Sequence, residues 1–172
     1  MKLHQIVILA ALIWVSCTHP RKNAKGLPEV QETLIDSLIT NWHQNAANAN
    51  LEDYIGFMDS TCNYIGTDAT ENWKRDEFGA FCKPYFDKRT TWDFKTLQRS
   101  VRVNTNQNTA WFDEILDTHM GTCRGSGALE KVNGNWKLKQ YVLSLSIPNE
   151  SIDDVKKATH VADSVYKHNI NQ

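Results

Sequence analysis

The residues best suited to chemistry lie near the centre of a predicted sheet. Asp113 and Glu114 are adjacent in a β-run at 109–117, so their side chains point to opposite sides and only one can reach the interior of the fold. We take Asp113 as the candidate general acid or base, since a carboxyl group in an aromatic-lined interior can transfer a proton. Arg124, in the glycine-rich stretch CRGSG, is the candidate that would steady the charge of a substrate.

Both candidates also have a structural interpretation, which we favour for Asp113. An ion pair between Asp113 and Arg124 on neighbouring strands would hold a bent sheet in register, and ion pairs perturb ionisable groups without any catalysis. For Arg124, this role and the binding of a ligand carboxylate by its planar guanidinium stay equally open. Cys123 is the least favoured nucleophile, because no histidine is placed to activate it.

A second set of candidates could bind a ligand without reacting with it. Aromatic side chains can line a cavity for a flat apolar molecule, although aromatic residues at strand spacing are more often part of the core. Gln140 could orient such a ligand with one hydrogen bond. Asp68 could bind the ligand near the mouth of the pocket. The interpretation that we favour is that its side chain hydrogen-bonds the backbone of its own loop. The aromatic candidates are Tyr64, Trp73, Trp92, Trp111 and Trp136.

The segment from Thr109 to Ile147 has the pattern of strands separated by turn signals. Asn133-Gly134 is a strong signal for a type I′ hairpin, since both central residues need positive φ. The glycines of CRGSG (123–127) predict a bulge, a sharp bend or a close backbone approach. Strict alternation over 135–147 places Trp136 and Gln140 on one face and an apolar set on the other. That set should be covered by a second copy of the chain or by the C-terminal helix, and it comprises Tyr141, Leu143, Leu145 and Ile147.

Helical patterns precede and follow these strands. Apolar residues recur at helical spacing in each of them, and Pro84 should kink or restart the third. The order of elements indicates an α+β fold, with helices packed on one face of a curved antiparallel sheet. The predicted helices are 29–48, 51–58, one around 78–86 and 152–168, and the further strands are 62–65 and 92–103.

Composition limits the kind of protein this can be. The chain has 172 residues, a formal net charge of −1 and 41% hydrophobic residues, which suits one globular domain with room for a ligand cavity. A near-neutral charge gives no basis for binding nucleic acid. The four cysteines, at 17, 62, 82 and 123, form no C-x-x-C pair, so no zinc site is expected. We predict buried free thiols, no metal and no cofactor.

The first residues have the features of a lipoprotein signal. An apolar run of about ten residues from Ile6 to Val15 has the length of a signal-peptide core and is too short to span a membrane. It ends at Val15-Ser16-Cys17, which resembles the lipobox of bacterial lipoproteins, with Trp14 where that box prefers Leu. An ordinary cleaved signal or an N-terminal anchor is the alternative.

This signal predicts the organisation of the whole chain. We expect a signal peptide at 1–16, a lipidated Cys17 with a flexible tether at 17–28, a ligand-binding domain at 29–150, and a C-terminal helix and tail at 151–172. The expected location is the bacterial cell envelope, with the protein lipid-anchored and facing the periplasm or the cell surface.

Several stretches of the chain resemble the SnoaL-like branch of the nuclear transport factor 2-like superfamily. They are YIGTDATENW (64–73), KPYF (83–86), AWFDE (110–114), CRGSG (123–127) and WKLKQY ending in IPN (136–149). The resemblance implies a cone-shaped curved sheet with the N-terminal helices on its concave face, a pocket between them, and commonly a homodimer. It does not imply one activity, because the superfamily contains isomerases, cyclases, dehydratases and non-catalytic binders. The histidine–aspartate pairs of its enzymes have no evident match.

Three functions follow from these observations. The first is an envelope-anchored domain that binds a small, mostly apolar molecule in the cone. The second is an isomerase, dehydratase or hydrolase that uses Asp113 for proton transfer. The third is a dimeric interaction module without a ligand, in which the face at Tyr141–Ile147 meets its partner.

Overall fold

A computed structural model of the protein describes residues 27–171, apart from the side chains of residues 27 and 28. The predicted signal peptide, Cys17 and nearly all of the tether lie outside these residues. The helices are α1 (Leu27–Ala47), α2 (Leu51–Gly56), α3 (Arg75–Asp87) and α4 (Ile152–Ile170), with a 3-10 turn at Asn149–Ser151. The strands are β1 (Met58–Ile65), β2 (Asn72–Lys74), β3 (Lys95–Val103), β4 (Thr109–Thr118), β5 (Gly121–Val132) and β6 (Asn135–Leu145).

The six strands form one curved sheet that is not closed into a barrel, in the order β2-β1-β6-β5-β4-β3. Neighbouring strands are antiparallel except β1 and β6, which are parallel. The first three helices cover the concave face, where apolar side chains of helices and strands share one buried core. The α+β prediction is therefore confirmed, with one parallel strand pair that it did not include.

The β5–β6 hairpin and the glycines of β5 have the backbone geometry that their residue types favour. Asn133 and Gly134 both have positive φ, 51° and 82°, as a type I′ turn requires. Strand β5 runs unbroken through CRGSG, so its glycines serve close approach instead of a bend. A Cβ at Gly125 would collide with the Tyr141 hydroxyl, and one at Gly127 would collide with the ring of Phe112.

A β-bulge at Lys139 overturns the predicted faces of β6. Ala128 pairs with Gln140 while Leu129 pairs with Leu138, which leaves Lys139 as the extra residue. A bulge reverses the facing of the residues beyond it. Tyr141 is consequently buried, as is Leu143. The expectation that these two belong to an outer face is wrong.

The third helix passes through Pro84 as one segment, so the predicted restart does not occur. Proline removes a backbone donor and leaves the carbonyl of the residue four positions earlier without its helical partner. That residue, Ala80, is exposed like Pro84 itself, and water can satisfy its carbonyl.

Candidate functional site

A cavity of about 220 Å³ opens on the concave side of the sheet, and we call it the aromatic cavity. Its walls come from β1, the loop after β1, β2, α3, the segment before β3, the β4–β5 turn and β6. Most of its side chains are aromatic, so their flat apolar faces set its chemistry. It is lined by Tyr64, Gly66, Thr67, Glu71, Trp73, Phe78, Phe81, Tyr85, Trp92, Phe94, His119, Met120 and Leu143.

The rings of the aromatic cavity are in contact with one another. Tyr64 stacks on Phe78 with ring centroids 3.8 Å apart, and both are buried. Trp73 stacks on Phe81 at 4.8 Å. Phe81 and Tyr85 remain 38% and 42% exposed, which places large aromatic surfaces at the mouth. Burial raises the pKa of the Tyr64 hydroxyl, so this group stays neutral and can donate a hydrogen bond.

The acidic loop after β1 is held by its own hydrogen bonds. The Asp68 carboxylate accepts bonds from the Thr70 amide at 2.8 Å and the Thr70 hydroxyl at 2.6 Å, the loop role that we favoured. These bonds, the one from the hydroxyl first, lower the pKa of Asp68. Glu71 accepts a bond from the Asp68 amide at 3.2 Å. Asp68 does not line the aromatic cavity, whereas Glu71 does.

The structure brings together three of the predicted ligand-binding residues and separates the others. Tyr64, Trp73 and Trp92 line the aromatic cavity. Trp111 is 51% exposed on the convex face of the sheet. Trp136 is buried elsewhere, where its indole N–H donates to Gln31 at 3.2 Å. Gln140 is exposed, because the bulge turns it away from the interior.

The carboxylate that enters the core is Glu114, and the expectation that Asp113 faces inward is wrong. Asp113 and Arg124 are both exposed on the convex face, and the favoured buried ion pair between them is not formed. Glu114 is 1% exposed. Its Oε1 accepts hydrogen bonds from His43 Nε2 and from the Tyr141 hydroxyl, each at 2.9 Å, and its Oε2 accepts one from Arg99 Nε at 2.9 Å.

Arg99 completes this buried network, since its guanidinium is bonded on every nitrogen. Nη1 donates to the backbone carbonyl and carboxylate of Asp36, both at 3.0 Å, and to the Thr40 hydroxyl at 2.8 Å. Nη2 donates to Thr96 at 2.9 Å. Burial by itself would raise the pKa of Glu114, but the bond and charge of His43 and then those of Arg99 hold it below its ordinary value. The network therefore fixes a charged carboxylate between α1, β3, β4 and β6.

Sequence reasoning missed this network although two signals were present. Glu114 shares its strand phase with Phe112 and Leu116, both buried, and this apolar phase marks the inward side of β4. His43 follows Ile39 by four residues on the apolar side of α1, so it also points to the core. No such signal marks Arg99, because a register shift between Thr96 and Gln98 resets the phase of β3.

A second, more polar groove of about 480 Å³ runs between α1 and the start of β3. His43 and Arg99 border it with Asp36, Thr40 and Asp93. Neither cavity is lined by Glu114 itself. Three ionisable side chains of the network thus border this groove, of which Asp36 is exposed while His43 and Arg99 are largely buried.

Three further properties concern the described part of the chain. Between residues 27 and 171 no three His, Cys, Asp or Glu side chains are grouped so that they could hold a metal ion. None of the helices in that range is both long and apolar enough to cross a membrane. Cys62, Cys82 and Cys123 are buried free thiols, and burial raises the pKa of Cys62 and of Cys82 to about 12.

Comparison with known proteins identifies the domain. Residues 35–148 match the SnoaL-like domain family. The chain belongs to this family. No curated protein matches the SnoaL-like chain in sequence.

Three solved structures show the same fold at low sequence identity. An NTF2-like protein of unknown function from Pseudomonas putida is 16% identical, with a TM-score of 0.61 over 73% of this chain and 94% of its own. A domain of unknown function with a cystatin-like fold from Nostoc punctiforme is 13% identical, with a TM-score of 0.59 over 83% and 98%. A putative scytalone dehydratase from Novosphingobium aromaticivorans is 10% identical, with a TM-score of 0.57 over 69% and 85%. At these identities the similarity concerns the fold alone.

Proposed function

We propose that this SnoaL-like domain is an envelope-anchored protein that binds a small, mostly apolar molecule in the aromatic cavity. The observation that carries the proposal is the set of aromatic rings that line the cavity yet stay partly open to solvent. Trp73 and Trp92 are half-buried, and Phe81 and Tyr85 are more exposed still. Clustered exposed apolar surface of this kind is typical of ligand-binding sites.

Binding without turnover suits the chemistry of the cavity. The buried carboxylate Glu114 does not line it, and all three of its hydrogen-bond donors are supplied by the protein. A carboxylate with a lowered pKa is a poor proton acceptor. Apart from its tyrosines, the aromatic cavity has Glu71 and His119 as its ionisable lining residues.

Occluding the mouth of the cavity tests the proposal. Thr67 lines the cavity and is exposed, while Ala69 is exposed in the same loop and does not line it. With 1-naphthol as a flat apolar probe, we expect Thr67→Trp to weaken binding about tenfold or more in isothermal titration calorimetry, because the indole would fill the entrance. Ala69→Trp should bind as the unchanged protein does. Equal affinity of the two variants would contradict the proposal.

The anchor is tested separately from the ligand. We expect the protein to fractionate with membranes and to carry a lipid on the residue that the lipobox-like sequence places at its mature N-terminus, Cys17. Cys17→Ala should abolish the added lipid mass in intact-protein mass spectrometry. If the protein without this substitution is soluble and carries no lipid, an ordinary cleaved signal is the better interpretation.

An acid–base enzyme is the second candidate, and the contact between His43 and Glu114 favours it. His43 borders the polar groove while its Nε2 is held by Glu114, an arrangement that orients an imidazole for proton transfer. Any molecule that co-purifies with the protein should then be converted on prolonged incubation, and His43→Phe should stop the conversion. A co-purified molecule that keeps its mass and isomeric form would argue against this candidate.

A further inference from the structure

The charges around the aromatic cavity are one-sided. No lysine or arginine lines it, and Glu71 is its single carboxylate. A carboxylate beside an apolar cavity attracts a cation and repels an anion. His119 also lines the cavity, but a ligand carboxylate would meet Glu71 with no lysine or arginine to offset the repulsion, so the cavity favours a cation over an anion.

The rings of the cavity add attraction of the same sign. The face of an aromatic ring carries negative electrostatic potential and attracts cations, most strongly in tryptophan. A continuous chain of ring contacts joins the two tryptophans: Trp73 to Phe81 at 4.8 Å, Phe81 to Tyr85 at 5.4 Å and Tyr85 to Trp92 at 6.3 Å. Trp92 continues this chain to Phe94 at 6.4 Å. A cation within the cavity would have aromatic rings on several sides.

The carboxylate of Glu71 is held in place at the cavity wall. Its Oε2 accepts the Asp68 amide, and a Cβ at Gly66 would collide with that carboxylate. Gly66, which also lines the cavity, thus provides the space in which the Glu71 side chain lies. Oε1 makes no hydrogen bond to any other residue within 27–171, so it is free to face a ligand.

We propose that the aromatic cavity selects a small organic cation, with a methylated ammonium group between the aromatic rings and Glu71 opposite its charge. Methyl groups make such a cation apolar on its surface, and the spread charge is weakly hydrated, so it enters an aromatic cavity more easily than a primary ammonium. This inference rests on the proposed function and gives its ligand a chemical class.

The experiment compares two probes of equal shape and different charge. Choline and 3,3-dimethylbutan-1-ol differ in the replacement of a trimethylammonium group by a tert-butyl group. Their affinities are measured by isothermal titration calorimetry on the full chain in dodecyl maltoside, with 1-naphthol alongside. We expect choline to bind about tenfold more tightly than the neutral alcohol.

The outcomes separate this inference from the function on which it rests. Equal binding of the two probes, or binding of 1-naphthol without binding of choline, overturns the organic-cation inference and leaves an apolar ligand in place. Failure of all three probes to bind overturns both.

Substitutions test which groups recognise the charge. Glu71→Gln should weaken choline binding about fivefold and leave the neutral alcohol unaffected, because the shape of the wall is kept and its charge is lost. Trp73→Leu should weaken choline binding about tenfold. Trp111→Leu, on the convex face, is the matched control and should change neither affinity. Equal effects of Glu71→Gln on both probes would overturn the assignment of Glu71.

Discussion

Glu114 and Asp113 are neighbours in sequence with opposite surroundings. Glu114 accepts bonds from His43, Arg99 and Tyr141 in the core, whereas Asp113 is exposed. A buried carboxylate is tolerated when its partners compensate the loss of water, and removing one partner of a buried pair leaves an uncompensated charge. The network is therefore expected to matter more for stability than any exposed ion pair of the chain.

Replacing each carboxylate by its amide measures this difference. Glu114→Gln should lower the free energy of unfolding by about 3 kcal/mol, because the amide removes the buried one of the two carboxylates that pair with Arg99 and leaves only the exposed Asp36. The side chain of Arg99 is 3% exposed, so water cannot replace the lost partner. Asp113→Asn should change the same quantity by about 0.5 kcal/mol or less. Urea unfolding of both variants gives the comparison, and equal losses would contradict the structural role of Glu114.

The lowered pKa of Glu114 determines how the free energy of unfolding should depend on pH. Its pKa in the folded protein lies below the ordinary value of 4.5, so the folded state binds this proton less readily than the unfolded chain does. The contribution of Glu114 is thus fully present above the unfolded pKa and is lost as the pH falls through the folded pKa. Urea unfolding between pH 7 and pH 3 should show a steeper loss of stability in the unchanged protein than in Glu114→Gln. Parallel curves would refute this linkage.

At the scale of elements, the helices and strands could be predicted where the spacing of apolar residues is regular. The helices, the Asn133-Gly134 hairpin and the α+β class follow from periodicity and turn chemistry. The inward residues of β6 did not, because one inserted residue, Lys139, reverses the phase that alternation assumes. Its amine bonds Asp59 at 2.9 Å and Thr61 at 2.8 Å on the neighbouring strand β1, which is about 80 residues away in sequence, so no local pattern reveals these contacts. In hindsight, the shift of large apolar residues from Trp136 and Leu138 to Tyr141 and Leu143 marks the bulge.

The residues of the aromatic cavity were predictable only in part, because the sequence does not show which aromatic side chains pack together. Tyr64 and Trp73 stand out by residue type on either side of the loop after β1, and Trp92 stands out between α3 and β3. Phe81 and Tyr85 lie on the more exposed side of α3, and only the packed fold shows that they meet Trp73 and Trp92. Local sequence gives the aromatic residues, while tertiary packing decides which of them share a cavity.

Helix α4 should contribute little to the stability of the sheet and core. None of its side chains is buried, and hydrophobic stabilisation scales with the apolar area removed from water. Deleting residues 152–172 should leave the midpoint of urea unfolding of the remaining domain unchanged, while the helical circular dichroism signal falls. A large drop in the midpoint would show that α4 packs on the domain in solution.

At the scale of the whole molecule, the convex face of the sheet is the surface left for a second copy. Helices α1, α2 and α3 cover the concave face, while Trp111 on the convex side is 51% exposed and Ile115 and Val142 are half-buried. We propose that the predicted homodimer forms there, instead of through Tyr141 and Leu143 in the core.

Sedimentation equilibrium distinguishes a dimer from a monomer and so tests the proposed interface. Trp111→Glu should convert a dimer to a monomer, since it places a charge in the apolar part of the contact. Leu97→Glu is the control, because Leu97 is 63% exposed on the outermost strand of the sheet. A protein that is monomeric before any substitution would contradict the homodimer.

The most direct test of ligand binding in the aromatic cavity uses the tryptophan indole N–H resonances during titration with 1-naphthol. The described residues hold five tryptophans, at 42, 73, 92, 111 and 136, and two of them, Trp73 and Trp92, line the cavity. A ring entering the cavity should shift these two resonances and leave those of Trp111 and Trp136 in place. Shifts confined to Trp111, or no shift at saturating probe, would show that the aromatic cavity is not a binding site.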